Sequence, residues 1–523
     1  MALRIPPLGQ SPLVRRICGG LLLAVTVALA PAAAAAGFVV AAFATASVPL
    51  LAATGLAVAA VVAALLGGAA LSLLGKGGLR ATAALTGILL LGVTGLAAAT
   101  VFRPMPTPAA GRVPSDVRFW NLPTGSRIAY VHARAVGTPR PTPVIFLHGG
   151  PGTPAEGIPT GGRELAADGF EVYSYDQVGA GRSTRLSDVT GYTVARQVAD
   201  LDAIRRLLGA DRIVLVGQSW GGSLAAQYLR AHAPHVAKAV FTSPGALWGR
   251  EYPGSKAGEP WDDLTPAQRS RRDDLDSRPR LITASLLLGV NPRAAHALAG
   301  DRELDHWMHE LALLGKNTTS CVGAAPTEAH NNPQGFYSNQ MTVKDFEQLP
   351  DPRPVLRGVH VPSLILRGQC DFVKPEVTQE YRRTLPDSRL VRVRGAGHAI
   401  AHAQPRLYTA LLRAFLLDKP LPAPEAPGSG VSGAGHASPT GSVVPAVVGP
   451  GVPSWEVVDG CCRSRPMDLD GTRGGSSAAQ LSGRLVIALL SAPLQRITRL
   501  PRTGCRPGDG RGRCRARPRG RFR

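Results

Sequence analysis

From Ile17 to Gly75 the chain carries no charged residue, and after Lys76 and Arg80 the stretch Ala81 to Phe102 is again uncharged. Such runs, dominated by Ala, Leu, Val and Gly, have no polar face for water. A helix crossing a bilayer needs ~20 apolar residues. The first run is long enough for two spans and the second for one more, predicted near 18–44, 50–74 and 82–102, with Pro31 and Pro49 marking bends or boundaries. Arg15 and Arg16 precede the first span, and Lys76 and Arg80 sit between the second and third. The preference of basic residues for the cytoplasmic side places both clusters inside. Residues 1–16 then form a cytoplasmic N-terminus, 17–103 a membrane region, and everything after Arg103 lies outside the cell membrane. A cleaved signal peptide ending near Pro31–Gly37 is the competing reading, but it leaves apolar residues 38–102 still to be accommodated in a membrane.

The formal net charge of +22 points toward nucleic acid or an anionic surface, yet it is unevenly placed. From Leu421 onward there are fifteen arginines, no lysine and six acidic residues, in a Pro/Gly/Ser-rich segment with little periodicity beyond the apolar run Leu485–Leu490. Residues 421–523 therefore read as a disordered tail. Its basic residues lack interleaved aromatics, so no specific nucleic acid is expected as a partner. Binding through this tail would show a steep salt dependence lost on truncation at Leu421. The seven cysteines fit no metal spacing, and two buried thiols are the reading preferred for Cys321 and Cys370.

Between these regions the pattern changes to short apolar strands and amphipathic helices. An opening hairpin joins 118–121 to 127–134. Strands follow at 143–150, 170–176, 212–217, 237–243, 362–368 and 389–395. The helix TVARQVADLDAIRRLLG presents Val194, Val198, Leu201, Ile204 and Leu208 on one face. Fully apolar strands alternating with helices predict an α/β fold with a mostly parallel sheet covered on both faces. Residues 246–349 break the alternation with helical pieces such as 295–315, and read as a helical cap splitting a core made of 113–245 and 350–420.

Gly217-Gln218-Ser219-Trp220-Gly221 is G-x-S-x-G between a strand and a helix, the context of a nucleophile elbow. Glycines on both sides clear space for a serine at a strained turn. His148-Gly149-Gly150-Pro151-Gly152 follows an earlier strand and supplies one oxyanion donor; the backbone N–H groups of Gly150 and Trp220 are assigned to that role. His148 itself reads as a loop-shaping residue. In this architecture the acid and the base follow the serine in chain order. LILRGQCD places Asp371 just past one strand, and LVRVRGAGH places His398 just past the next. His402 is the rival base, and Glu376 and Asp351 are rival acids. His306, His309 and Glu310 in HWMHE lack the spacing of a zinc site, so no metal and no organic cofactor is assigned.

With HGGPG at 148–152, DQVGAGRS at 176–183, GQSWGG at 217–222, Asp371 and GAGH at 395–398, the chain resembles the proline iminopeptidase family of α/β-hydrolases, which includes tripeptidyl-type aminopeptidases. The resemblance covers roughly 113–420 and implies cleavage of N-terminal residues from peptides, with cap carboxylates holding the substrate amine. Glu251, Glu259, Glu303 and Glu310 are the available cap glutamates. Val178 stands where the family has Arg, and Gln218 and Gly222 depart from its elbow. The function expected is a membrane-tethered serine hydrolase acting on peptide N-termini. Esterase or amidase activity on small molecules, or a non-catalytic binding role, are the alternatives.

Overall fold

The computed structural model describes residues 11–109, 111–261, 264–315, 318–321 and 331–426. Most of the 421–523 tail, the run Leu485–Leu490 included, lies outside the described residues. Three apolar helices come first, α1 (Pro12–Ala41), α2 (Val48–Leu73) and α3 (Leu79–Ala99). All three are long and apolar enough to cross a membrane. Small residues let α1 and α2 approach closely: a Cβ on Gly55 would lie 2.6 Å from the Ala34 carbonyl oxygen. Pro31 does not end α1, which runs through it and takes in Arg15 and Arg16 at its start. Pro49 does mark a boundary, at the first turn of α2.

An antiparallel hairpin of β1 (Arg118–Asn121) and β2 (Arg127–Ala133) then leads to β3 (Val144–Leu147). The chain continues through α4 (Gly162–Ala167), β4 (Val172–Tyr175), α5 (Val194–Leu207), β5 (Ile213–Gln218), α6 (Trp220–His232) and β6 (Val236–Thr242). The described residues next form α7 (Pro266–Asp276), α8 (Pro279–Val290), α9 (Pro292–Leu298), α10 (Asp301–Gly315) and α11 (Phe336–Phe346). A short α12 (Arg353–Leu356) precedes β7 (Ser363–Gly368), α13 (Pro375–Thr384), β8 (Ser388–Val393), α14 (Ile400–Ala403) and α15 (Pro405–Leu416).

Among the described residues, eight strands form one sheet in the order β1-β2-β4-β3-β5-β6-β7-β8, parallel from β4 to β8. Alternate residues of the buried strands feed two separate cores. Ile145, Leu147, Ile213, Leu215 and Phe241 pack with Leu201 and Ile204 of α5 and Leu224 of α6. Val144, Phe146, Val214, Val216 and Val240 pack on the opposite face with Leu165 of α4 and Leu411, Leu412 and Phe415 of α15. This two-sided burial is why the strands read as continuous apolar runs. From β3 the chain moves outward to β4 and then returns to the other side of β3 as β5. A crevice opens beyond the carboxyl ends of strands where the order reverses in this way, and ligands bind there in open α/β sheets.

Two expectations change. The helical piece 295–315 is two helices, broken at Ala299–Gly300. Gly is a poor helix former, and Asp301 and Glu303 suit a fresh N-terminus. The tail does not begin at Leu421: Ala426 N–H donates to the Leu390 carbonyl at 2.8 Å and Arg389 pairs with Glu425, so the chain runs along the free edge of β8 to the last described residue.

The apolar helices are joined to the helices between β6 and β7. Phe38, Leu51 and Met105 share a core with Leu281, Leu287 and Leu298. Asn291 Nδ2 donates to the Ala42 carbonyl at 2.9 Å. Arg280 donates to the Val101 carbonyl at 2.9 Å and pairs with buried Glu303 at 2.6 Å.

Candidate active site

Ser219 lies between β5 and α6 with φ 52° and ψ −119°, a backbone conformation sparsely populated by residues with a side chain. The surroundings enforce it. A Cβ on Gly217 would sit 2.3 Å from the Gly221 carbonyl oxygen, and one on Gly221 would sit 2.1 Å from the Leu147 carbonyl oxygen. Neither backbone atom can move aside without displacing a strand or the helix. The Ser219 N–H donates to the Thr242 carbonyl at 3.0 Å, and its own carbonyl accepts from Gly245 N–H at 2.9 Å. The partly exposed serine thus stands at the start of α6, whose first N–H groups have no intrahelical partners.

Asp371 and His398 follow the neighbouring strands β7 and β8, and parallel register brings their loops together. His398 Nδ1 and Asp371 Oδ1 are 2.8 Å apart, with both side chains buried. The same carboxylate oxygen accepts from Val373 N–H at 3.0 Å, and the Phe372 ring lies 4.2 Å from the imidazole. Burial opposes the charge on Asp371. The charge and hydrogen bond of His398, helped by the Ser243 hydroxyl and Val373 N–H, outweigh it and hold this carboxyl below its ordinary range.

The rivals lie elsewhere. His402 is exposed on α14, Glu376 is exposed in the first turn of α13, and Asp351 is bound by Arg353 at 2.7 Å. Glu310 of the HWMHE stretch pairs with Arg278 at 3.3 Å and Arg271 at 3.6 Å. Two more of the cap glutamates are also paired, Glu303 with Arg280 and Glu251 with Arg353 at 3.1 Å.

The His148–Gly152 loop leaves β3 and meets the elbow. A Cβ on Gly149 would lie 2.5 Å from Gln218 Oε1 and 3.1 Å from Ser219 Cβ, so glycine lets the loop approach the elbow without displacing either side chain. Gly150 adopts φ 110° in the following turn. His148 is buried, its Nε2 accepting from Gln177 N–H and its Nδ1 facing the Gly149 carbonyl, both at 2.9 Å. Trp220 follows the serine, and its indole N–H is shared between Gln177 Oε1 and Gln197 Oε1. Gln177 and Gln197 received no role from sequence. The only signal was an amide within a short motif and another on the apolar face of α5.

Cys321 and Cys370 form a disulfide, which corrects the expectation of two thiols. Spacing along the chain concealed it, because 49 residues separate them while the fold sets their Cα atoms 5.3 Å apart. The pair ties the segment after α10 to the loop carrying Asp371. Ala399 N–H donates to the Thr319 carbonyl at 3.1 Å, fixing the same segment to the loop carrying His398.

A sheet of this order, with a serine elbow after β5 and a carboxylate–histidine pair after β7 and β8, has the architecture of an α/β-hydrolase. The chain belongs to the alpha/beta hydrolase fold family, whose model matches residues 142–403. It is similar to the proline iminopeptidase of Heyndrickxia coagulans, 26% identical over 288 residues that span 53% of this chain and 90% of the relative. The proline iminopeptidase of Lactobacillus delbrueckii subsp. bulgaricus is 27% identical over 304 residues, 57% of this chain and 97% of the relative. Among solved structures, the proline iminopeptidase of Mycobacterium smegmatis aligns with a TM-score of 0.38 at 22% identity, covering 58% of this chain and 98% of that one.

Proposed function

We propose that the protein is a membrane-tethered serine hydrolase whose triad is Ser219, His398 and Asp371, acting on peptide N-termini in the manner of a prolyl aminopeptidase. The observation that carries this reading is the buried His398–Asp371 pair at the ends of β7 and β8, together with Ser219 at its strained elbow after β5. In the reaction, His398 Nε2 takes the proton of Ser219 Oγ as the oxygen attacks the substrate carbonyl. Asp371 holds Nδ1–H and stabilises the imidazolium. The oxyanion is met by the N–H groups of Gly150 and Trp220, the second at the positive end of α6. His398 then protonates the leaving amine, and water releases the acyl group by the same steps in reverse.

The three apolar helices support the tether, and the Cys321–Cys370 disulfide supports placing the hydrolase part outside the cytoplasm, where such bonds persist. One observation favours a second reading, hydrolysis of small esters or amides: Glu251, Glu303 and Glu310 are already committed to arginines. The test uses the full chain in detergent beside Ser219→Ala. Initial rates are compared on prolyl- and alanyl-arylamides with a free amine, on their N-acetylated forms and on an aryl ester. A Ser219-dependent preference for the free amine is the expected result. Ester cleavage indifferent to the amine would favour the second reading, and full activity in Ser219→Ala would sink the triad.

A further inference from the structure

We propose that Gln177 is the positioning residue of the oxyanion hole, a single residue whose backbone N–H and side-chain amide together set both of its arms; this rests on the donors named under the proposed function. The first arm is the Gly149–Gly150 peptide. Gln177 N–H donates to His148 Nε2 at 2.9 Å, which makes Nε2 the acceptor and assigns the ring proton to Nδ1. Nδ1–H then donates to the Gly149 carbonyl at 2.9 Å. The Gly149–Gly150 bond is trans, so the carbonyl oxygen and the Gly150 N–H project from opposite sides of one planar unit. By gripping the oxygen, His148 aims the Gly150 N–H the other way. Gln177 Nε2 also donates to the His148 carbonyl at 2.9 Å, so it fixes this residue through ring and backbone together.

The second arm is Trp220. Its indole N–H is held by Gln177 Oε1 at 3.1 Å and by Gln197 Oε1 at 3.0 Å. Gln197 Nε2 in turn donates to Thr342 Oγ1 of α11 at 3.2 Å. The Gln177, Gln197, His148 and Trp220 side chains are all buried. Holding the indole fixes the first residue of α6 and therefore the direction of its backbone N–H. The chain of hydrogen bonds runs from α11 through Trp220 to the loop after β3. Gln177 touches both arms, with a side-chain acceptor for one and two donors, its backbone N–H and its amide, for the other. Glutamate matches it in shape but turns the side-chain donor into an acceptor facing the His148 carbonyl.

The experiment measures kcat and KM for an aryl ester, inhibition by phenylboronic acid, and the thermal midpoint, using the full chain in detergent. Phenylboronic acid accepts the Ser219 oxygen at boron and places a boron-bound oxygen where the oxyanion forms. Gln177→Ala and the isosteric Gln177→Glu are expected to lower kcat and weaken phenylboronate binding together, by about 10–100-fold, with KM moving less than about threefold. Trp220→Phe, which loses only the indole N–H, is expected to give a smaller parallel loss. A residue that merely stabilised the fold would lower the thermal midpoint and leave kcat and inhibitor affinity of the folded fraction unchanged. Wild-type kcat and inhibition in Gln177→Glu, or a fall in kcat without weaker inhibition, overturn the proposal. Gln177→Glu decides the matter where Gln177→Ala does not fold. Ser219→Ala is run in parallel: if it still cleaves the ester, the nucleophile is wrong and this inference falls with it. An inactive Ser219→Ala beside normal Gln177 variants removes this inference alone.

Discussion

Two carboxyls buried in this molecule are driven in opposite directions by their neighbours. Asp371 is held low because His398 outweighs the effect of burial. At Asp176 the charge of Arg182 is too weak to offset burial. Burial pushes it up to about 6, although Arg182 N–H and the Asn332 amide donate to it. The signs of their contributions follow. The stability owed to Asp371 is full above the unfolded carboxyl's pKa near 4 and is lost as pH falls below that range. For Asp176 the unfolded chain gives up its proton near 4 and the folded chain only near 6, so stability declines as pH rises through that window and then levels. The decline is about 2–3 kcal/mol. Thermal midpoints at pH 4.5 and 6.5 are expected to differ less in Asp176→Asn than in the wild type; equal slopes would discount the buried acid. Asp371→Asn is expected to keep the fold and lower kcat by about 10⁴-fold, because the imidazole loses its proper tautomer. At this scale the sequence was informative about identity and silent about partners. G-x-S-x-G, Asp371 and His398 are legible because each sits at the end of an apolar run. Gln177, Gln197 and Ser243 are not, since an amide or hydroxyl has no pattern until its partners, tens of residues away, are known.

The strands of the core were readable because burial on both faces leaves them continuously apolar, and because each parallel pair needs a helix between its members. The elements between β6 and β7 were harder. Their apolar positions face the apolar N-terminal helices as well as the sheet, so no single periodicity describes them, and α9 and α10 merge into one helix by composition. Their attachment to the loops carrying Asp371 and His398 rests on the disulfide and on the Ala399–Thr319 hydrogen bond. Closing a loop over a separation of 49 residues restricts the unfolded chain by about 4 kcal/mol in the chain-entropy model. Replacing both cysteines, as Cys321→Ser with Cys370→Ser, is expected to lower the thermal midpoint by several degrees. It is also expected to lower kcat, because Asp371 adjoins Cys370 and the Thr319 carbonyl holds the histidine loop. An unchanged kcat with a lowered midpoint would restrict the bond to stability alone.

For the molecule as a whole, the apolar helices and the hydrolase part are one packed body. Most of the exposed large hydrophobic side chains lie on α1–α3, while the adjoining ends of α1 and α2 are buried against α8 and α9. Removing residues 1–103 takes away the Val101 carbonyl from the buried Arg280 and the Ala42 carbonyl from Asn291, and it uncovers Leu281 and Leu287. Such a truncation is expected to lose about 2–3 kcal/mol, roughly 3–5 °C in thermal midpoint, relative to the full chain in detergent. A midpoint matching the full chain would mean that the hydrolase part folds without the apolar helices.

What the sequence determined by itself is whatever depends on local order. The uncharged runs, the strand–helix alternation and the residue types at strand ends repeat at short range, where periodicity and turn chemistry act. The tertiary structure alone decided the Cys321–Cys370 bond, the pairing of Glu251, Glu303 and Glu310 with arginines, the reach of the chain along β8 to Ala426, and the seating of α8 and α9 on the apolar helices. Each of these joins residues far apart in the chain. Such contacts are fixed by the packing of two cores and by the need of every buried polar group for a partner, and neither is written in the neighbours of any one residue.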